Sequence, residues 1–450
     1  MTRTAVQRLV RRLAAVAAGL GALAIVETQL HRYYYGQTYR YYDAAEVYWE
    51  DQNTLLLYLP HPTLFWSLRP GITMKVSEAT RSFGLVESHN VLSEFAWEIR
   101  VGPKGFRGPD FPADKPEGEI RVVCFGDSRT IGEGLEEGHT YPARLEAALR
   151  RSFRNRPVRV INAGADGWSS HQGLKLLSDG FARYRPDFAV FAFGINDADT
   201  DWGVSDRERA LRAPAPLVAA QRLFYRSLAF YWTHQRFMHA KAWLRGRTPV
   251  GPSGARAAAA VPRVSLPHYA ENLRGFVATC RRRDVVPILL VIPPNPYRSR
   301  DPQLDSPEEL AVLREATEGR DGEERRQSLE RLLRSNPGLA SARYALASLH
   351  RERGDLEQAD RLFRQLDEQT AFGRYSGVAR AVADAEAAPL VDLTGLYQAR
   401  RQDQLFIDAV HPNALGADLA ARALAERIQA ELLAGSDVRE ARLTPADSES

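Results

Sequence analysis

The feature that most constrains how this chain folds is a change of rhythm at Glu119, after which short apolar runs alternate with segments of helical spacing. The runs cover residues 120–125, 158–162, 188–193, 286–292 and 390–393, and clear helical patterns lie near 141–153 and 414–433. All but the last run follow their predecessor after enough chain for a crossover helix, so a parallel sheet is implied. Before the last run, residues 303–388 offer no strand and carry Leu310, Leu313, Leu329, Leu332 and Leu333 at helical spacing, which predicts an inserted α-helical module. Within it, Leu346, Ala347, Gly354, Ala359, Phe363 and Leu366 recur at the spacing of a tetratricopeptide-like (TPR) helix-turn-helix unit. One such unit cannot bury its own face, so it must pack on the α/β core, a neighbouring chain or a protein partner. Its position between two strands places it at the rim of the sheet, as a lid or docking surface.

Residues 31–117 are rich in Tyr, Trp, Phe and Pro, with alternating stretches such as 53–59 and 96–101, and are read as a small β-rich module. Its aromatics, including Tyr33 to Tyr35 and Tyr39 to Tyr42, suit ordinary packing better than a glycan surface, and at least as well as a membrane-interface belt. Ahead of it, Arg3, Arg8, Arg11 and Arg12 precede an apolar run over 13–26, a targeting signature. The run is shorter than the roughly 20 residues that span a bilayer comfortably. Ala22-Leu23-Ala24 also resembles a cleavage site, so a retained single-pass anchor, the preferred reading, competes with a removed signal peptide and with a soluble amphipathic helix. With an anchor or a signal peptide the basic flank stays in the cytoplasm and the remainder is exported, membrane-bound or, after cleavage, secreted or periplasmic.

Composition narrows the function classes. Apolar residues form 44% and charged residues 26% of the chain, ordinary globular values, and the net charge of +4 is dispersed, which gives no support for nucleic-acid binding. The run Arg281 to Arg283 follows a helical stretch and reads as cations at a helix C-terminus. Cys124 and Cys280 each lie in an apolar segment and are expected as buried hydrophobes. No His-Glu-x-x-His or comparable pattern exists, so no metal, nucleotide or organic cofactor is implied.

Chemistry concentrates at the first strand's end, where the apolar run stops at Gly126-Asp127-Ser128-Arg129-Thr130. That is the edge where parallel sheets place ligands. A phosphate-cradling loop is disfavoured, because Gly132-Glu133-Gly134 is followed by Glu136 and Glu137, which would repel a pyrophosphate. A serine needs a base within hydrogen-bond reach and a third group to orient that base. Near the C-terminus Asp408 and His411 stand three residues apart, just before Pro412 and the final helix, and no other histidine is so placed.

Four segments together, Gly126-Asp127-Ser128, Asn162 to Gly167, Gly194-Ile195-Asn196-Asp197 and Asp408-x-x-His411-Pro412, resemble in order the signature blocks of the SGNH/GDSL hydrolase family. Taken singly each has a bland alternative, such as a turn-capping Ser128, a strand-end Asn196 or a helix-capping Asp408. The resemblance spans Val122 to about Leu433, apart from the insertion, and implies a three-layer flavodoxin-like sheet. It makes Ser128 the nucleophile, His411 the base and Asp408 its orienting carboxylate. The oxyanion hole would comprise the Ser128 and Gly167 amides and the Asn196 side chain. Arg129 replaces the family's usual leucine, and as a cation near the mouth it would favour anionic or polyhydroxylated substrates. The flanks Gly105-Phe106-Arg107-Gly108 and Thr140-Tyr141-Pro142 resemble bacterial membrane-linked members.

The expected organisation is a targeting segment over 1–30, the β-rich module over 31–117, and a hydrolase domain in two parts, 118–302 and 389–435. The helical insertion over 303–388 separates those parts, and a disordered tail covers 436–450. The expected activity is hydrolysis of an O-acetyl or other short acyl ester on a glycan or envelope component. An O-acyltransferase with the same triad, or a membrane-tethered TPR scaffold with a vestigial site, is the alternative.

Overall fold

Five apolar strands do pair in parallel. The structure, a computed structural model, describes residues 3–35, 38–40, 56–78, 95–200, 203–212, 215–244, 261–295, 307–369, 371–398, 405–408 and 410–443. Its described residues fall into two compact units, one drawn from Met1–Asp110 and Arg209–Ala258, the other from Phe111–Glu208 and Ala259–Ser450.

The first unit begins with a helix over Arg3–Tyr35, in which Ala5–Tyr33, 29 residues with mean hydropathy 1.8, is long and apolar enough to cross a membrane. Strands β1 (Thr38–Arg40), β4 (Thr73–Glu78) and β5 (Phe95–Arg100) form one small sheet, while β2 (Tyr58–His61) and β3 (Phe65–Leu68) form a hairpin. The helices Ala215–Phe224 and Leu228–Leu244 join this unit, although their sequence reads as part of 118–302. Buried Arg69 donates to the carbonyls of Leu56 and Tyr225, and Arg222 to Pro60 O and Ser67 Oγ. Glu27, at the end of the apolar run, accepts from the amides of Leu228 and Ala229 and from Ser227 Oγ, capping the start of the helix Leu228–Leu244. A carboxylate there satisfies amides that a helix leaves unpaired. Residues 41–55, including Tyr41, Tyr42 and the first three residues of the expected 53–59 stretch, lie outside the described residues.

In the second unit, β6 (Ile120–Gly126), β7 (Val158–Gly164), β8 (Phe188–Ala192), β9 (Val286–Val291) and β10 (Leu390–Asp392) make a sheet of order β10-β9-β8-β6-β7. Every pairing is parallel. Counted within the sheet this is the 2-1-3-4-5 order of flavodoxin-like folds. Alternation along β6 fills both faces. Val122 and Cys124 pack with Leu145, Leu149, Leu424 and Ile428 of the helices Tyr141–Ser152 and Ala414–Leu443. On the opposite parity, Phe125 meets Phe181 at 4.9 Å between ring centroids, and Phe191 meets Phe276 at 4.3 Å. Helices on both faces give three layers. Both cysteines are free and buried.

The helical segment has an internal division that its composition does not reveal. Pro307–Thr317, Gly322–Ser335, Ala340–Glu352 and Leu356–Gln369 bury two small clusters, one around Leu329, Leu339 and Leu346, the other around Ala347, Ala359 and Phe363. By contrast Ala371–Ala385, counted within 303–388 by sequence, packs on Leu266–Arg281 and β9 and belongs to the α/β layers. The final helix continues to Leu443, past the expected end near 433 and into the expected tail, whose residues 444–450 lie outside the described ones.

Close approach of backbone decides one glycine. A Cβ on Gly164, the last residue of β7, would stand 2.4 Å from Ile131 N and 2.8 Å from Thr130 C, both backbone atoms of the helix that begins at Ser128. Neither can yield as a flexible side chain would. Gly164→Ala is expected to lower stability by about 2 kcal/mol, the scale of forced overpacking, read as a lower urea midpoint at constant m-value. An unchanged midpoint would contradict the close packing.

Candidate active site

β6 ends at the point where strand order reverses, between β7 and β8, and Ser128 follows at once as the first residue of the short helix Ser128–Ile131. Asp127 caps that helix by accepting from Arg129 N at 2.9 Å. As a first-turn residue Ser128 has no intrahelical partner for its own amide. The Arg129 side chain turns inward. Its Nη2 lies 2.7 Å from Asp127 Oδ2, Nη1 donates to Ile292 O at 2.9 Å, and its guanidinium carbon stands 5.5 Å from the Phe372 ring centroid. Arg129 is 4% exposed, so it is no free cation at the mouth, and the substrate preference expected from it is withdrawn. The buried carboxylate two residues earlier outcompetes solvent for the guanidinium.

The second block forms the turn after β7. Asn162 Oδ1 accepts from Gly164 N, and Asn162 Nδ2 donates to Ile131 O, which ties this turn to the helix of Ser128. Gly167 has φ +66°, a left-handed conformation that favours glycine. Its carbonyl accepts from Arg263 Nη1 at 2.5 Å, while Arg263 Nη2 pairs with Asp206 Oδ2 at 3.0 Å and donates to Gln172 Oε1. Asp206 also accepts from Ser169 Oγ. Arg263 and Asp206, buried and fully paired, clamp the turn from behind; neither was singled out by sequence.

The third block follows β8. Asn196 Nδ2 donates to Trp168 O at 3.1 Å, which links it to the Gly167 turn and leaves its second N–H uncommitted to that bond. Asp197, fully buried, accepts from Ser170 N, Ser170 Oγ and Gly194 N. Burial pushes its carboxyl up to about 7 against the opposing pull of the Ser170 hydrogen bonds. Tyr375, from the helix Ala371–Ala385, donates to Asp197 O at 3.3 Å, so that helix braces the site.

Asp408 and His411 come from a loop closed by backbone bonds from Ile407 N to His411 O and from Asn413 N to Leu405 O. Asp408 Oδ1 accepts from the amides of Val410 and His411, and Asp408 Oδ2 lies 2.7 Å from His411 Nδ1. On the other side of the ring, His411 Nε2 lies 2.8 Å from Ser128 Oγ. It also lies 3.1 Å from Glu133 Oε2, a carboxylate to which the sequence alone assigns no role. Two flanking glycines signalled a turn there, but nothing local shows that the turn swings back to the histidine.

Thus His411 stands between Ser128 and Asp408 and contacts both, and Gly167 is joined to Asn196 through Trp168. Burial would raise the Asp408 pKa, but His411 and the two amides outweigh it and hold it at about 2. Burial would likewise lower that of His411, but Asp408 and Glu133 outweigh it and hold the imidazolium well above the ordinary histidine range. By linkage, Asp408 contributes stability above its ordinary value near 4, lost as pH falls toward 2. The His411 contribution is present below about 6.5 and lost as pH rises through its raised value. Among the described residues no three His, Cys, Asp or Glu side chains gather so as to hold a metal ion.

The model of the GDSL-like Lipase/Acylhydrolase family matches residues 124–325, which include Ser128, Gly167 and Asn196 but end before Asp408 and His411. No curated protein matches. Among solved structures, the chain is similar to a lipase/acylhydrolase from Enterococcus faecalis, at 16% identity over 69% of this chain and 96% of that one, TM-score 0.34. It is also similar to the acetylxylan esterase Axe2 from Geobacillus stearothermophilus, at 16% identity over 69% and 94%, TM-score 0.34. A third is LAE5, an alpha/beta hydrolase enzyme from the metagenome of Lake Arreo, Spain, at 20% identity over 68% and 94%, TM-score 0.34. The chain thus carries a GDSL-like lipase/acylhydrolase domain over residues 124–325 and is an SGNH-type serine hydrolase acting on ester bonds.

Proposed function

We propose that the chain hydrolyses an O-acetyl or other short acyl ester, carried on a glycan or cell-envelope component, through an acyl-Ser128 intermediate. The observation that carries this reading is the unbroken contact from Ser128 Oγ to His411 Nε2 at 2.8 Å and from His411 Nδ1 to Asp408 Oδ2 at 2.7 Å. His411 takes the serine proton as Oγ attacks the ester carbonyl, then delivers it to the departing alkoxide. Water repeats the path in reverse and frees the acid. Asp408 keeps the remaining ring hydrogen on Nδ1 and stabilises the imidazolium that forms. The tetrahedral oxyanion is received by the amides of Ser128 and Gly167 and by Asn196 Nδ2. Arg263 on the Gly167 carbonyl and Trp168 on Asn196 fix two of these donors in advance.

Ser128 is 7% and His411 8% exposed, which favours a small acyl group over a long chain. The helix Arg3–Tyr35 supports retention at a membrane. With arginines ahead of its apolar stretch, the orientation rule for such segments puts the hydrolase outside the cytoplasm, where envelope esters are found.

Ser128→Ala is expected to abolish p-nitrophenol release from p-nitrophenyl acetate, and Asn196→Ala to lower kcat/KM by roughly 10²–10³, the cost of one oxyanion donor. Turnover that persists in folded Ser128→Ala would remove the acyl-enzyme from consideration. For localisation, the full chain is expected to stay with membranes through an alkaline carbonate wash and to keep its N-terminal residues by intact mass. A soluble, N-terminally shortened product would replace the anchor by a cleaved signal.

A further inference from the structure

Glu133 touches the proposed base but plays no part in the Ser-His-Asp relay or the oxyanion donors. It sits where the chain turns after the helix Ser128–Ile131, with Gly132 at φ +86° and Glu133 N bonded to Ser128 O at 3.0 Å. That backbone bond ties its position to the nucleophile. Its side chain is 6% exposed, and Oε2 stands 3.1 Å from His411 Nε2, the same nitrogen that contacts Ser128 Oγ at 2.8 Å.

One nitrogen cannot serve both neighbours in every protonation state. In the neutral base, with its hydrogen on Nδ1 facing Asp408, Nε2 presents a lone pair. A serine hydroxyl can donate to that lone pair, but an ionised carboxylate at 3.1 Å faces it with another lone pair and is repelled. The observed contact is favourable only when a proton lies between Glu133 and His411. Imidazole is the stronger base of the two, so the proton rests on the ring, which then carries hydrogens on both nitrogens, one toward each carboxylate. Asn295, from the segment after β9, is neutral and donates to Asp408 O, and the Arg129 guanidinium is engaged with Asp127 and Ile292 O.

We propose that Glu133 is a positioning residue that holds His411 as the imidazolium in the resting site and so sets the pH at which His411 becomes a base. This rests on the reading of His411 as the base for Ser128. Activation is loss of the Nε2 proton to solvent, after which the serine hydroxyl donates to Nε2. When Oγ attacks, that proton passes to Nε2 and re-forms the imidazolium, which Glu133 stabilises together with Asp408. The same carboxylate thus suppresses activity at low pH and strengthens the base once it is free, as expected when basicity and availability trade against each other.

The sign follows directly. A base with a raised pKa is active above it, so kcat/KM rises with pH through the His411 titration. Removing the Glu133 charge moves that rise to lower pH. Glu133→Gln keeps the side-chain shape, and for a shift of one pH unit kcat/KM on the acid limb would rise by about tenfold divided by the factor through which the alkaline plateau falls. Glu133→Asp, with a shorter reach, is expected between the two. The test pairs pH profiles of p-nitrophenyl acetate turnover with a nitrogen NMR titration of His411 in the full chain, assigned among its ten histidines by a His411→Asn control.

The inference requires His411 to titrate above the ordinary histidine range in the wild type and to fall in Glu133→Gln together with the acid limb. Superimposable profiles, or an unmoved His411 titration, would overturn it while leaving the esterase reading intact. Conversely, a wild type with no Ser128-dependent turnover defeats the esterase reading, and the NMR titration still decides whether Glu133 holds the ring. Should Glu133→Gln fail to fold, Glu133→Asp and the wild-type titration remain. A wild-type His411 that titrates at or below the ordinary range contradicts the proposal by itself.

Discussion

The site depends on one hydrogen bond that joins Ser128 to His411 across 283 residues of chain. A parallel sheet makes that contact possible. Because β6, β7, β8 and β9 run the same way, the turns after them open on one edge, and the loop before the final helix reaches the same edge. Ser128 follows the central strand where the order reverses, the switch point at which parallel α/β sheets place their ligand sites. The closed loop over residues 405–413 then brings in the histidine together with its carboxylate. No separate element has to be added for the two to meet.

Much of the surrounding polar chemistry serves to hold turns in place. Arg129 with Asp127 and Arg263 with Asp206 are buried ion pairs, and desolvating such pairs costs enough that they are weak contributors to net stability. Their geometry suggests another value. Each guanidinium also donates to a backbone carbonyl, Ile292 O and Gly167 O respectively, in segments that follow strands of the sheet. Asp197 acts similarly, gathering Ser170 and Gly194 so that the turns after β7 and β8 share one carboxylate. Preorganisation of this kind is what an oxyanion site needs, since donors that must reorient during the reaction lose much of their benefit.

How much of this was legible in the sequence follows from the range of each interaction. Ser128, Asn162, Gly167 and Asn196 stand in short motifs at strand ends, and Asp408 lies three residues from His411, so local spacing was enough to single them out. Arg129 was visible as a cation but not in its direction, because its pairing with Asp127 depends on the capped turn between them. Glu133 was missed because only the folded turn returns it to His411. Arg263 was missed because its partner Asp206 is 57 residues away. The same limit applied to larger pieces. Helical spacing marked 303–388 as helical, yet could not tell that Ala371–Ala385 covers β9, nor that Leu228–Leu244 packs with the N-terminal unit. Periodicity identifies a buried face without identifying what covers it.

The most direct test of the central claim is covalent labelling by a fluorophosphonate, which reacts with a serine only where a base and oxyanion donors have activated it. Rapid, stoichiometric modification of the full chain is expected, mapped by peptide mass to Ser128 and lost in His411→Ala. An unlabelled wild type, a label on another serine, or equal labelling in His411→Ala would contradict the view that His411 and the turns at this sheet edge make Ser128 a nucleophile.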